Sequence, residues 1–428
     1  MSTATVRNES LRSLPLDALR TFLTLLVVFH HAVLAYVQFA PPPPPSLGQP
    51  MLWGAFPIVD AVKWKGIDLV TSLDDTFFMA LLFLVSGLFV PASLGRKGAA
   101  AFLRDRGRKL GIAFAAGAGL VAPLAYYATY RSLAPQTTSF WHQWLHLGVW
   151  PAGPAWFLWV LLAFDLAAAA LFAFAAPAMR ALGRAGERLG DRPLRVWALL
   201  VAVSGVAYVA MAAVWNPLEW SSFGPFFVQT ARVGLYAIYF GMGAALGSAS
   251  MANGVLTTGG RLASRWGRWT AAAVVIFGVA MAIWISIFAA LAKGGASKGL
   301  ITVGNVMFPL TCATTSFAVL ALALRFLRRP GRMTNALMPN AFGIYVTHYA
   351  FVTWLQLTML GVAVAAPVKG TVVFVGAVLG SWAVTAAVRA AGRALYGSSR
   401  GAGSPSARVA TAAFSSTSGS TGSSPGLT

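Results

Sequence analysis

Long apolar runs alternate along this chain with short polar connections that are mostly basic. A helix needs about 20 consecutive apolar residues to cross a bilayer. Windows of that length fall at 16–40, 69–91, 109–130, 155–177, 194–215, 226–248, 269–291, 301–324, 337–360 and 368–392. The pattern predicts an all-α, polytopic membrane bundle of about ten spans over residues 16–396. A polar segment, 1–15, precedes it, and a Ser/Gly-rich tail, 397–428, reads as disordered. The N-terminus lacks the short apolar core and small-residue site of a cleavable signal peptide.

The connections orient the bundle. Arg96, Lys97, Arg104, Arg106, Arg108 and Lys109 crowd one of them, and Arg180, Arg184, Arg188, Arg192 and Arg195 another. The connections on the opposite side are poor in Lys and Arg; Arg131 and Lys369 stand alone in theirs. This asymmetry places the basic side, and with it both termini, in the cytoplasm, and the expected location is the inner membrane.

Composition narrows the class. Only 10% of the 428 residues are charged and 57% are hydrophobic, against roughly 25% charged in soluble domains. The net charge of +21 is spread over loops rather than gathered in a basic arm, which argues against nucleic acid. The single cysteine, Cys312, excludes a disulfide framework and a thiolate metal cluster.

Against this background the first span stands out, because it carries Asp17, Arg20, His30 and His31. Ionisable groups at membrane depth are costly and mark sites or pathways. At about 100° per residue, the eleven steps from Arg20 to His31 return to within roughly 20° of the start, about 16 Å further along. Asp17 shares that face and His30 points about 100° away.

Arg20 followed by ten residues and His31 resembles the first membrane helix of acyltransferase family 3. Further pieces follow in that family's order: Asp75-Thr-Phe-Phe leading to Ser86-Gly87, the basic loop Phe102–Gly111, Trp156-Phe-Leu opening a later span, and Ile344-Tyr-Val-Thr-His348 near the end. The family's Arg-x-x-Arg has its nearest match in Arg106-x-x-Lys109. The resemblance implies an enzyme that moves an acyl group, such as acetyl, from acyl-coenzyme A to a hydroxyl of a cell-surface or exported glycan or glycolipid. It implies membrane lipid around the chain, and leaves the oligomeric state and any partner protein open.

Each residue carries two readings. His31 is either the general base for the acceptor hydroxyl, since imidazole titrates near neutrality, or a histidine bonded between helices. Resemblance favours the base, and His30 reads as structural or as lining the same cavity. Arg20 either binds the donor or pairs with Asp17 and snorkels to the surface. Arg104, Arg106, Arg108 and Lys109 could grip coenzyme A phosphates, or be basic for topology alone. Asp75, Trp144 and Trp156 are expected along the acceptor path, in an outer face crowded with Asp60, Asp68, Asp74 and Glu219, while His348 supports the site or the fold. Asp165 needs a partner, and Arg232 is the expected one. His142 and His146 have metal-like spacing without a third ligand, and no metal is expected. The competing function is a proton-coupled transporter using Arg20, His31, Asp165 and His348 as a relay. A membrane scaffold or flippase-like subunit is a third.

Overall fold

The computed structural model describes residues 14–48, 54–133, 135–249, 254–329 and 331–401. Residues 1–13, with Arg7 and Arg12, and most of the expected tail lie outside them. Ten long helices follow one another: α1 (Leu14–Val33), α2 (Lys65–Gly87), α3 (Ala99–Ser132), α4 (Trp156–Phe174), α5 (Pro193–Ala212), α6 (Thr230–Ser248), α7 (Trp266–Ala292), α8 (Lys298–Phe326), α9 (Ala341–Met359) and α10 (Ala366–Gly401). Each apolar window falls on one of them. Two three-residue strands, β1 (Ser221–Phe223) and β2 (Phe226–Val228), pair as a hairpin before α6. One compact unit extends to Trp382; a second, from Ala383, is helical in its described part.

Eight helical stretches among the described residues are long and apolar enough to cross a membrane, and α6 and α9 fall short. Both have 19 residues. They carry Arg232, or His348 and Gln356, and all three side chains are buried. These two helices lose hydropathy because they turn polar groups inward, where protein rather than lipid meets them.

The centre of the bundle is α2. Phe77 to Val85 are buried on every side of the helix, as expected of a segment that is apolar all round. Its closest neighbour is α6, and the contact depends on missing side chains. A Cβ on Gly243 would stand 2.0 Å from the Leu84 carbonyl oxygen, and one on Gly247 2.0 Å from that of Leu88. Gly243 and Gly247 are four apart, so they fall on one face of α6 and let the two backbones touch. That approach fixes the depth at which Arg232, eleven residues earlier on α6, meets α2.

The segment after α1 leaves the helix through a 3-10 turn, Leu34–Tyr36, before the proline run. It is pinned by a fully buried ion pair, Lys369 Nζ to Asp60 Oδ2 at 2.6 Å. Lys369, counted with an outer connection in the sequence, is interior, because Asp60 requires a counter-charge there. Asp68 accepts a hydrogen bond from the Gln38 backbone N–H. The expected crowd of outer acids is thus partly structural.

Replacing Gly243 by Leu should separate α2 from α6. The variant is expected to give little monodisperse protein in detergent and a melting temperature well below wild type, while Gly241→Leu, which meets nothing within 4 Å, should leave both near wild type.

Candidate active site

The two histidines of α1 point to different neighbours, as their 100° offset requires. His31 donates from Nδ1 to the Val27 carbonyl one turn back, at 2.8 Å. Its ring lies 5.3 Å from the rings of both His348 and Tyr349 on α9. The bond to Val27 fixes the tautomer and leaves Nε2 with a lone pair. His348, fully buried, likewise donates from Nδ1 to the Tyr345 carbonyl, and its Nε2 has no protein partner. Gln356 donates to the carbonyls of His31 and Ala32 at 2.8 and 3.1 Å, which ties α9 to the end of α1.

His30 faces α2. Its Nδ1 stands 2.7 Å from Asp74 Oδ1, and its ring packs 5.2 Å from that of Phe78, one turn along. Beside it Asp75 receives both terminal nitrogens of Arg232, at 3.1 and 2.8 Å. Arg232 also lies 4.8 Å over the Phe308 ring of α8. The Asp75 side chain keeps 42% of its accessibility although it sits midway along α2, while the Arg232 side chain keeps 6%. Ionised groups at such a depth ordinarily face the bundle interior rather than lipid.

A second cluster lies nearer the start of α1. Arg20 pairs with Asp17 at 3.2 Å, donates to the Val85 carbonyl at 3.4 Å and stacks on Phe89 at 4.0 Å. Arg106 on α3 reaches the buried Asp165 of α4 at 3.3 Å, and Lys109 lies 4.9 Å over Phe342. Arg20, Arg106 and Lys109 are close enough to repel one another. Arg104, Arg108 and Lys109 are exposed. The stretch Gly107–Gly111, which holds Arg108 and Lys109, is a π-helical turn, a local widening often found at functional positions. Three cations with two carboxylates leave this region net positive and able to attract an anion.

Several expectations need correction. Asp165 pairs with Arg106, not Arg232, because Asp75 occupies Arg232 from two sides. Trp156 is buried, stacked at 5.8 Å on Tyr236 and edge-on to Trp220. Trp144 is buried between Tyr126, Phe140 and Trp150 in the same way. His142 and His146 stack at 4.3 Å, and among the described residues no group of three metal-ligating side chains gathers.

A family model described as an acyltransferase domain, that of the acyltransferase 3 family, matches residues 15–386. The chain belongs to that family. It is an enzyme that transfers acyl groups, and the transporter reading is not favoured. No curated protein and no solved structure matches it. Within this acyltransferase the geometry brings His31 together with His348, and Asp75 with Arg232. It leaves Arg20 about three turns of α1 away, beside Arg106 and Lys109. Gln356 was missed by the sequence reading. Asp74, grouped there with Asp75 among the acids of the acceptor face, meets His30 of α1 instead.

The ion pair of Asp75 should carry stability. Arg232→Met leaves a carboxylate unpaired and is expected to cost at least about 2 kcal/mol, whereas Arg232→Met with Asp75→Leu should recover much of it. Thermal melts of the two purified variants and wild type check the order.

Proposed function

We propose that this acyltransferase moves a short acyl group, such as acetyl, from acyl-coenzyme A to a hydroxyl of a sugar or glycan, in the cytoplasmic membrane. Ten spans with both termini inside complete the reading, supported by the charge asymmetry of the connections. The observation that carries the chemistry is His31: Nδ1 committed to Val27, Nε2 left free, and a polar interior around it.

On this reading His31 Nε2 takes the proton of the acceptor hydroxyl as its oxygen attacks the thioester carbonyl. The C–S bond then breaks, the sulfur leaves with the electron pair, and the proton passes from His31 to it. The products are an ester and free coenzyme A thiol. His348 supports one side of the His31 ring. Arg20, Arg106 and Lys109, with Arg104 and Arg108 at the rim, draw the donor phosphates by charge-assisted hydrogen bonds, on the side the topology makes cytoplasmic. Asp75, still accessible beside Arg232, offers an acceptor-side hydrogen bond. A sugar hydroxyl fits a site of this kind because it can donate to a carboxylate oxygen, which keeps a second lone pair beside Arg232, and to a neutral imidazole nitrogen.

His31→Ala should lower acetyl transfer from acetyl-coenzyme A to methyl glucoside by about 10²–10⁴-fold, with the protein folded. Transfer at the wild-type rate would overturn the assignment. Lys109→Ala is expected to raise KM for the donor several-fold and leave kcat nearly unchanged.

A further inference from the structure

The chemistry above leaves one demand unmet. As the acceptor oxygen bonds to the thioester carbon, the carbonyl oxygen gains negative charge, and in a water-poor interior that charge needs a fixed donor. The backbone near His31 supplies none, because helical N–H groups are committed to the helix. The question is which side chain beside His31 can donate there.

Charge accounting on α2 points to His30. Arg232 is held by Asp75 through both terminal nitrogens. The next carboxylate, Asp74, is 97% withdrawn from solvent by its side chain (3% accessible), and its Oδ2 has no hydrogen-bond partner. A buried carboxylate in such a place requires a counter-charge. The group within reach that can supply it, by taking up a proton, is His30, whose Nδ1 lies 2.7 Å from Oδ1. An imidazole that donates Nδ1–H to this anion is stabilised in its doubly protonated form, as is the imidazolium of a histidine–aspartate pair during acyl transfer. Its other nitrogen, Nε2, then carries a proton too. The adjacent His31 has a backbone carbonyl as its Nδ1 partner, so its Nε2 remains a base. Two neighbouring imidazoles are thereby set to opposite tasks, the arrangement that separates acid from base in one site.

We propose that His30 is the oxyanion donor of this acyltransferase, with Asp74 as the positioning residue that keeps it charged and oriented. The inference rests on the acyltransferase reading given above. The His30 and His31 rings are 5.4 Å apart and nearly perpendicular, at 79°, close enough for the acceptor hydroxyl at His31 and the thioester carbonyl oxygen at His30 to belong to one reacting centre. The acceptor O–H gives its proton to His31 Nε2 while the new O–C bond forms and the carbonyl π pair moves onto oxygen. That oxygen accepts a hydrogen bond from His30 Nε2–H. Collapse restores the C=O bond and expels the sulfur, which takes the proton back from His31. His30 ends the cycle as it began it.

The test compares His30→Ala with His30→Gln in the full-length purified protein, using acetyl-coenzyme A and methyl glucoside and following thiol release. Gln keeps an N–H donor near the place of Nε2 but has no basic nitrogen. His30→Ala is expected to lose about 10²–10³-fold in kcat with KM for the donor nearly unchanged, and His30→Gln to recover to within about tenfold of wild type. Asp74→Asn, which preserves volume, should lower kcat with little change in KM. It gives the reading should His30→Ala prove unstable. Equal losses in Ala and Gln would make His30 the base and overturn the proposal. Full activity of His30→Ala, or an unchanged kcat in Asp74→Asn, would overturn it as well. Wild-type protein that releases no thiol from acetyl-coenzyme A with a glycoside present would instead sink the acyltransferase reading, and this inference with it.

Discussion

An ionised side chain inside a bundle of membrane helices must find a partner within that bundle, because lipid offers none. In this protein that requirement organises the interior. Asp75 and Arg232 join α2 to α6, Asp74 and His30 join α2 to α1, and Arg106 and Asp165 join α3 to α4. Each pair crosses between helices, and two of the three involve α2, the helix with the most completely buried apolar stretch. The close approach at Gly243 and Gly247 sets the register of α2 against α6, and register decides which charges can meet.

The same constraint separates two regions along α1. Near its start, Arg20, Arg106 and Lys109 make a positive zone with partial access to solvent. About 16 Å further along, His30 and His31 sit between carboxylates on one side and α9 on the other. A donor with a phosphate-rich handle and a reactive thioester at its far end is suited to such a spacing. In the proposed reading the handle would meet the cations and the thioester the imidazoles.

Much of this was legible in the sequence, and the reasons are physical. Apolar length gives the helices directly, since a bilayer imposes one dimension on every span. Helical periodicity put Asp17, Arg20 and His31 on one face and set His30 apart, and the structure shows those two histidines facing different helices. What pattern could not supply was partnership across helices. Asp165 and Arg232 looked like complementary solitary charges, yet Asp75 lies 157 positions from Arg232 in sequence and meets it in space. Pattern likewise does not give the burial of Trp156 and Trp144, because an aromatic side chain has the same sequence signature in a wall as in a core. Gly243-x-x-x-Gly247 went unremarked in the sequence, and the close approach of α6 to α2 that it permits is visible in the structure.

The account turns on group transfer rather than passage of a solute. Its most direct measurement follows labelled acetyl groups in proteoliposomes that contain the purified protein, acetyl-coenzyme A and methyl glucoside. The predicted result is label in a base-labile sugar ester, with one free thiol released for each ester formed. Glycoside or proton flux that proceeds without donor consumption, and with no ester formed, would contradict it.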